Sequence, residues 1–342
     1  MTEMSQQIEN MNGLIVYDRN VAANREWYIG KYIEEFAKKG ISLKLAYTDE
    51  LTTELMSGAS GASGTKGAAG ESCASGSGEG VSGIQATFSE STFAIMRDIN
   101  PGLSANLEKL NMRVFNSATV SAICNDKYAT YKYMEEKNLA PFMPMMLLTD
   151  YLGLEQKEFP IVLKSRAGHG GTEVFWVDNH LELQSIIKGE ALACAPVDGE
   201  VTGASAGGDA LACERLSDFL MQKPCDTPGI DVRVYVIGGE IVAAMKRINR
   251  SLGDIRDRFK SNYCLGGACE IYDFKSDVKM CDMVKKITKS LQLDFAGIDF
   301  IFHNGEPVFN EIEDVVGARM LYDHTDIDIV KQYVDYIVNE MG

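Results

Sequence analysis

Apolar residues near the start of the chain fall into short blocks around one amphipathic run. GLIVY at 13 to 17 is continuous enough to be a buried strand, Trp27 to Lys39 repeats apolar positions at helical spacing and stops at Gly40, and Ile41 to Tyr47 forms a second strand. The order strand, helix, strand predicts a parallel sheet. FAIMR at 93 to 97 predicts another strand, Leu103 to Leu110 a helix and Met112 to Phe115 a short strand. Asn125 or Asp126 then stands where a side chain can cap a helix over Tyr128 to Lys137.

Farther on the pattern changes. Pro160 to Lys164, Val174 to Val177, Phe219 to Gln222, Asp231 to Ile237 and Ile241 to Lys246 all read as strands, with Gly238-Gly239 as a hairpin turn, so the second half is expected to be antiparallel. Helices are expected over Asp282 to Leu291 and Asp326 to Asn339. Two stretches, 57 to 83 and 189 to 214, consist largely of Gly, Ser and Ala; they are too small and polar to build a core and read as flexible insertions.

Between the last two helices lies GIDFIFHNGEPVFNEIEDVVG, residues 297 to 317, a hairpin signature around Asn304-Gly305 with Asp299, Glu311 and Glu313 on its two strands. Register decides whether these acids can cooperate, because a slip of one residue sends a side chain to the other face. A three-residue loop, Asn304-Gly305-Glu306, sets Asp299 opposite Glu311 with Glu313 on the same face, and this loop is expected here. A two-residue loop separates Asp299 from Glu311 unless a bulge intervenes. Carboxylates on one face would suit Mg2+, which takes hard oxygen ligands. The solvated edge of an acidic hairpin is the competing reading.

Composition narrows the class of protein. With 342 residues, two or three domains are expected, and no apolar run approaches the length of a membrane span. The N-terminal MTEMSQQIENMNG is polar rather than signal-like, so a cytoplasmic location is expected. A formal net charge of −16 opposes general nucleic-acid binding, although a local basic groove can still attract an anion. The 8 cysteines show no paired spacing, as expected of reduced thiols.

Several other residues bear on chemistry. After the strand IVLK, the segment SRAGHGG supplies Gly168, Gly170 and Gly171 beside Lys164, an arrangement in which backbone N–H groups can approach phosphate oxygens. A ligand-free turn reads equally well, and His169 is either a phosphate contact or a solvated residue. Lys127 opens a helix, where its charge opposes the helix dipole unless an anion is bound. Gln222, Lys223, Pro224 and Cys225 end a strand as a hinge that could read an adenine edge, or simply as a turn. Arg233, Lys246, Arg247, Arg250, Arg256, Arg258 and Lys260 gather positive charge in an otherwise acidic chain.

In order and spacing these pieces resemble the ATP-grasp superfamily, and within it the RimK-like carboxylate–amine ligases. The resemblance rests on NDK at 125 to 127, LKSRAGHGG at 163 to 171, QKPC at 222 to 225, DVRVYVIGGEIVAAMKR at 231 to 247, RFKSN at 258 to 262 before Gly266-Gly267, GIDFIF at 297 to 302 and NEIEDVVG at 310 to 317. It implies a fold of mixed α/β and α+β class: an N-terminal parallel-sheet domain over 12–120, a central lobe over 121–222 and a C-terminal lobe over 223–342, the last two clamping ATP. It also implies that Lys127, Lys164 and the loop Gly168, His169, Gly170, Gly171 hold phosphates. Gln222, Lys223 and Cys225 would read adenine, and Asp231 would approach the ribose. Asp299, Glu311 and Glu313 would bind one or two Mg2+ or Mn2+ ions, and Arg247 would stabilise the transferred phosphoryl group, with Arg233 and Lys260 as the other catalytic cations.

Two departures stand out. Glu313 replaces the Asn usual at the last metal position, and Lys260 occupies a place where Arg is common, which changes the geometry of anion recognition. The expected reaction joins a small-molecule or peptide carboxylate to an amine, such as glutamate, through an acylphosphate, releasing ADP and phosphate. Peptide modification, addition of an amino acid to a cofactor tail, and a regulatory protein that binds nucleotide without turnover are the alternatives. No nucleic acid or membrane is expected as a partner, and self-association is left open.

Overall fold

A computed structural model describes residues 11–61, 91–168, 173–192, 216–251, 254–260 and 268–342. The chain divides into two compact units: residues 1–122 with 293–295 and 327–342, and residues 123–292 with 296–326.

The first unit carries the expected parallel sheet. Strands β1 (Asn12–Tyr17), β2 (Ser42–Tyr47), β3 (Phe93–Met96) and β4 (Arg113–Phe115) lie in the order β2-β1-β3-β4, all parallel. The uninterrupted apolar runs of β1 and β3 are explained by burial on both faces: Leu14, Val16, Ala94 and Met96 join Leu103, Leu107 and Val114 in one core cluster, and Ile15, Tyr17, Phe93 and Ile95 are buried on the other face. Each large apolar side chain buried there contributes roughly 1.5–3 kcal/mol. The helices Glu26–Ala37 and Pro101–Lys109 flank the sheet, and the closing helix Ile329–Met341 belongs to the same unit.

The second unit contains two further sheets. Strands β5 (Met145–Leu147), β6 (Ile161–Ser165), β7 (Val174–Val177) and β8 (Phe219–Gln222) form an antiparallel sheet in the order β5-β8-β6-β7. Strands β9 (Ile230–Ile237), β10 (Glu240–Ile248), β11 (Ala268–Ile271), β12 (Phe295–His303) and β13 (Glu306–Glu313) form the other, ordered β11-β10-β9-β12-β13. Gly238-Gly239 turns β9 into β10 as expected.

The structure alters three expectations. Residues 57–61 continue the helix Thr48–Gly61 and residues 189–192 complete the helix His180–Leu192, so both small-residue stretches begin within helices; their remainders, 62–83 and 193–214, lie outside the described residues. The last hairpin also turns differently. His303 pairs with Glu306, so the loop is the two residues Asn304-Gly305, with φ of 53° and 75°, and not the expected three. That left-handed pair matches the twist of the flanking strands, and glycine takes the second position without steric cost. Among the described residues no helix is long and apolar enough to cross a membrane.

Candidate active site

The two-residue turn would set Asp299 opposite Asn310, but a bulge between Asp299 and Phe300 shifts the ladder by one residue. Phe300 pairs with Phe309 and Asp299 with Glu311, leaving Asn310 as the extra residue. Glu313, two residues beyond Glu311, stands opposite Gly297 on the same face. One ligand oxygen from each of Asp299, Glu311 and Glu313 can therefore be chosen so that all lie within 4.8 Å of one another. These are hard donors at a spacing that fits a divalent cation such as Mg2+.

Two arginines are threaded through this cluster. Arg233 grips Asp299 with Nε at 2.8 Å and Nη2 at 2.7 Å, and its Nη1 lies 2.7 Å from Glu313. Arg247 grips Asp231, which faces it across β9 and β10, at 2.5 and 2.7 Å, and its Nη2 reaches Asp299 at 2.6 Å. Asp299 is fully buried. Burial alone would raise its carboxyl, but Arg233 and Arg247 outweigh burial and hold it at about 2. Glu313 moves the other way: withdrawal from water raises it, Arg233 opposes, and Asp299 and Glu311 add to the rise. The guanidinium pair thus keeps Asp299 ionised where an unpaired carboxylate could not stay charged. Nη1 of Arg247 carries no hydrogen bond among the described residues.

Arg233 needs space to do this, and Gly297 supplies it. A Cβ at Gly297 would stand 3.1 Å from Cδ of Arg233 and 2.7 Å from Cγ2 of Val316.

The other sheet and the helix Lys127–Lys137 bring cations toward the same acids. Asp126 caps that helix, accepting from the backbone N–H groups of Tyr128 and Ala129, and also holds Arg166 at 2.5 Å. The Lys127 N–H donates to the Arg166 carbonyl at 3.0 Å, so the helix start is tied to the end of β6. Lys127 Nζ donates to the Gly168 carbonyl and lies 3.7 Å from Glu311. Lys164 Nζ donates to Oδ1 of Asn310 at 3.1 Å. Burial lowers the Lys164 ammonium to about 8; Glu311 opposes this and Lys127 reinforces it.

Lys127, Gln222, Asn310 and Glu311 line one small cleft with Tyr131, Phe142, Met145 and Phe309. Nε2 of the buried Gln222 has no hydrogen-bond partner among the described residues. The unanswered Gln222 amide and Lys127 thus face one mostly apolar cleft, and Lys164 meets it through Asn310.

Not every expected residue gathers here. The Lys223 ammonium pairs with exposed Glu158 at 2.7 Å, leaving its backbone, whose N–H donates to Pro144, beside Gln222. Cys225 is half-buried, and burial raises its thiol. Lys260 has no ion-pair partner among the described residues; its ammonium lies 5.5 Å above the Phe259 ring, and burial lowers it. Arg256 pairs with Asp178 at 2.6 Å. His169, Gly170, Gly171, Gly266 and Gly267 lie outside the described residues, as does the side chain of Arg258. Sequence reasoning overlooked Asn310, Arg166 and Gly297. Asn310 had left a trace, since the doublets Val308-Phe309 and Asn310-Glu311 interrupt strand alternation where the bulge occurs.

Residues 149–337 match the RimK-like ATP-grasp domain. The chain belongs to the RimK-like ATP-grasp family, and at that level it is an ATP-grasp enzyme of the carbon–nitrogen ligase class. It is 24% identical over 258 residues to the uncharacterized protein MG011 of Mycoplasma genitalium, covering 75% of this chain and 77% of that one. It is 25% identical over 240 residues to the glutamate–LysW ligase ArgX of Sulfolobus acidocaldarius, covering 69% and 76%. Among solved structures, the fold is similar to a RimK-domain ATP-grasp protein from Sphaerobacter thermophilus, with a TM-score of 0.58 at 16% identity over 95% of this chain and 98% of that one. It is also similar to the D-alanine–D-alanine ligase of Bacillus anthracis complexed with ATP, with a TM-score of 0.58 at 14% identity over 97% and 100%.

Proposed function

We propose that the chain joins a carboxylate to an amine through an acylphosphate, consuming ATP. The observation that carries this reading is that Lys127 and Lys164 meet adjacent residues of β13, Glu311 and Asn310, where Glu311 joins the Asp299–Glu311–Glu313 cluster. ATP lies with its base toward Gln222 and the backbone of Lys223 to Cys225, its ribose toward Asp231, and its phosphates between the lysines and the acids. Asp299, Glu311 and Glu313 hold Mg2+, which neutralises charge on the phosphate oxygens when bound.

The remaining chemistry falls to the chain's own side chains. Lys127 and Lys164 align the triphosphate, so that the substrate carboxylate meets the γ-phosphorus in line. Arg233 orders Asp299 and Glu313, while Arg247, anchored by Asp231 and Asp299, directs Nη1 at the phosphoryl group as it transfers. Lys260 approaches the acid substrate. The carboxylate oxygen forms the new bond to phosphorus and the bond to ADP breaks. The amine then attacks the activated carbonyl, and phosphate leaves with the original carboxylate oxygen. Buried, preorganised donors stabilise such charge without reorganising at the moment of reaction.

The glutamate–LysW ligase of Sulfolobus acidocaldarius supports glutamate as one of the two substrates. The test is ADP release across pairs of carboxylates and amines, followed by 18O-labelled carboxylate in the active pair. Label in the released phosphate is the expected result; unlabelled phosphate from a productive pair would reject the acylphosphate.

A further inference from the structure

Asn310 owes its place to the bulge. In an unbroken ladder consecutive residues point to opposite faces, yet here Asn310 and Glu311 both line the same cleft. Glu311 approaches Lys127 at 3.7 Å, and Asn310 receives the Lys164 ammonium at 3.1 Å. The nearest β13 group to Lys127 is thus a carboxylate, and the one that Lys164 hydrogen-bonds is a carboxamide.

That difference has a chemical consequence. A lysine paired with a carboxylate is already neutralised, and an arriving phosphate must compete for it. Held by a carboxamide oxygen, a lysine is oriented but keeps its full positive charge, ready for an anion. Asn310 is small and bulged out of the ladder, so its oxygen meets the ammonium without obstructing the cleft.

We infer that Asn310 is a positioning residue for nucleotide phosphate: it fixes Lys164 in its phosphate-binding rotamer without spending the charge. This deepens the ATP-site reading and rests on it. Asn310 itself touches no phosphate and acts through Lys164.

Calorimetric titration of the full chain with ADP and with adenosine tests this. In Asn310→Leu, which keeps the size and removes the acceptor, ADP affinity should fall about tenfold, the scale of one hydrogen bond to a charged group, while adenosine affinity stays unchanged. In a Lys164→Met background the same change should have no further effect on ADP. Asn310→Asp should also weaken ADP, because its carboxylate neutralises the lysine. Equal losses for ADP and adenosine, a full Asn310→Leu effect in the Lys164→Met background, or wild-type ADP affinity in Asn310→Leu would each overturn the inference. Failure of the wild-type chain to bind ADP would instead remove the ATP-site reading beneath it.

Discussion

Arg233 lies across Gly297, its Cδ 3.1 Å from the point where a Cβ would stand, and from there it spans Asp299 and Glu313. Gly297→Ala should therefore displace the guanidinium and crowd Val316, costing about 1–3 kcal/mol in urea unfolding and weakening Mn2+ binding. An unfolding midpoint equal to wild type would show that the guanidinium does not need the space.

Glu313→Gln leaves Nη1 of Arg233 without its anion and removes one of three oxygen-donor carboxylates. Mn2+ affinity, read by electron paramagnetic resonance without nucleotide, should fall about tenfold or more. Unchanged Mn2+ affinity would mean that the ion is held by Asp299 and Glu311 alone.

Asp126 serves two partners, the N-terminus of the helix Lys127–Lys137 and Arg166. Asp126→Ala should lower stability by about 1–2 kcal/mol in chemical denaturation, mainly through the lost cap, and Asp126→Asn should recover most of it. If Asp126→Asn is as unstable as Asp126→Ala, the ion pair and not the cap carries the effect.

Nucleotide binding should depend on pH through Lys164. Burial lowers its ammonium from 10.5 to about 8, so the unfolded chain holds the proton more tightly, and between those values its contribution to folding stability rises with pH. Ligand binding follows the opposite course. The charge is present below about 8 and lost above it, so ADP affinity should decline from pH 7 to pH 9.5. Lys164→Arg should flatten that decline. An equally steep decline in Lys164→Arg would assign the titration elsewhere.

Much of this architecture was legible in the sequence because burial imposes short, regular periods. Val174–Val177 and Phe219–Gln222 form with the expected boundaries, and GLIVY and FAIMR read as buried strands because both faces of the parallel sheet are covered. The hairpin marked its turn but not its register, since Asn-Gly suits two-residue loops and occurs in longer ones. The bulge that compensates depends on pairing across the hairpin, which one strand's residues do not encode. Gly297 was hidden for a similar reason: the side chain it accommodates comes from β9, 64 positions away in sequence. Small-residue composition also misled at 57–61 and 189–192, where helices run on into Gly and Ala.

The register of β12 against β13 also constrains how the gene can change. Exchanging one side chain for another between Asp299 and Glu311 leaves every remaining residue on its own face of the sheet. Loss of the Asn310 codon would take out the bulged residue, and the two-residue turn would then set Asp299 opposite Glu311 in an unbroken ladder. Divergence of this segment should therefore give up the bulge, and with it the contact to Lys164, before it breaks the carboxylate pair.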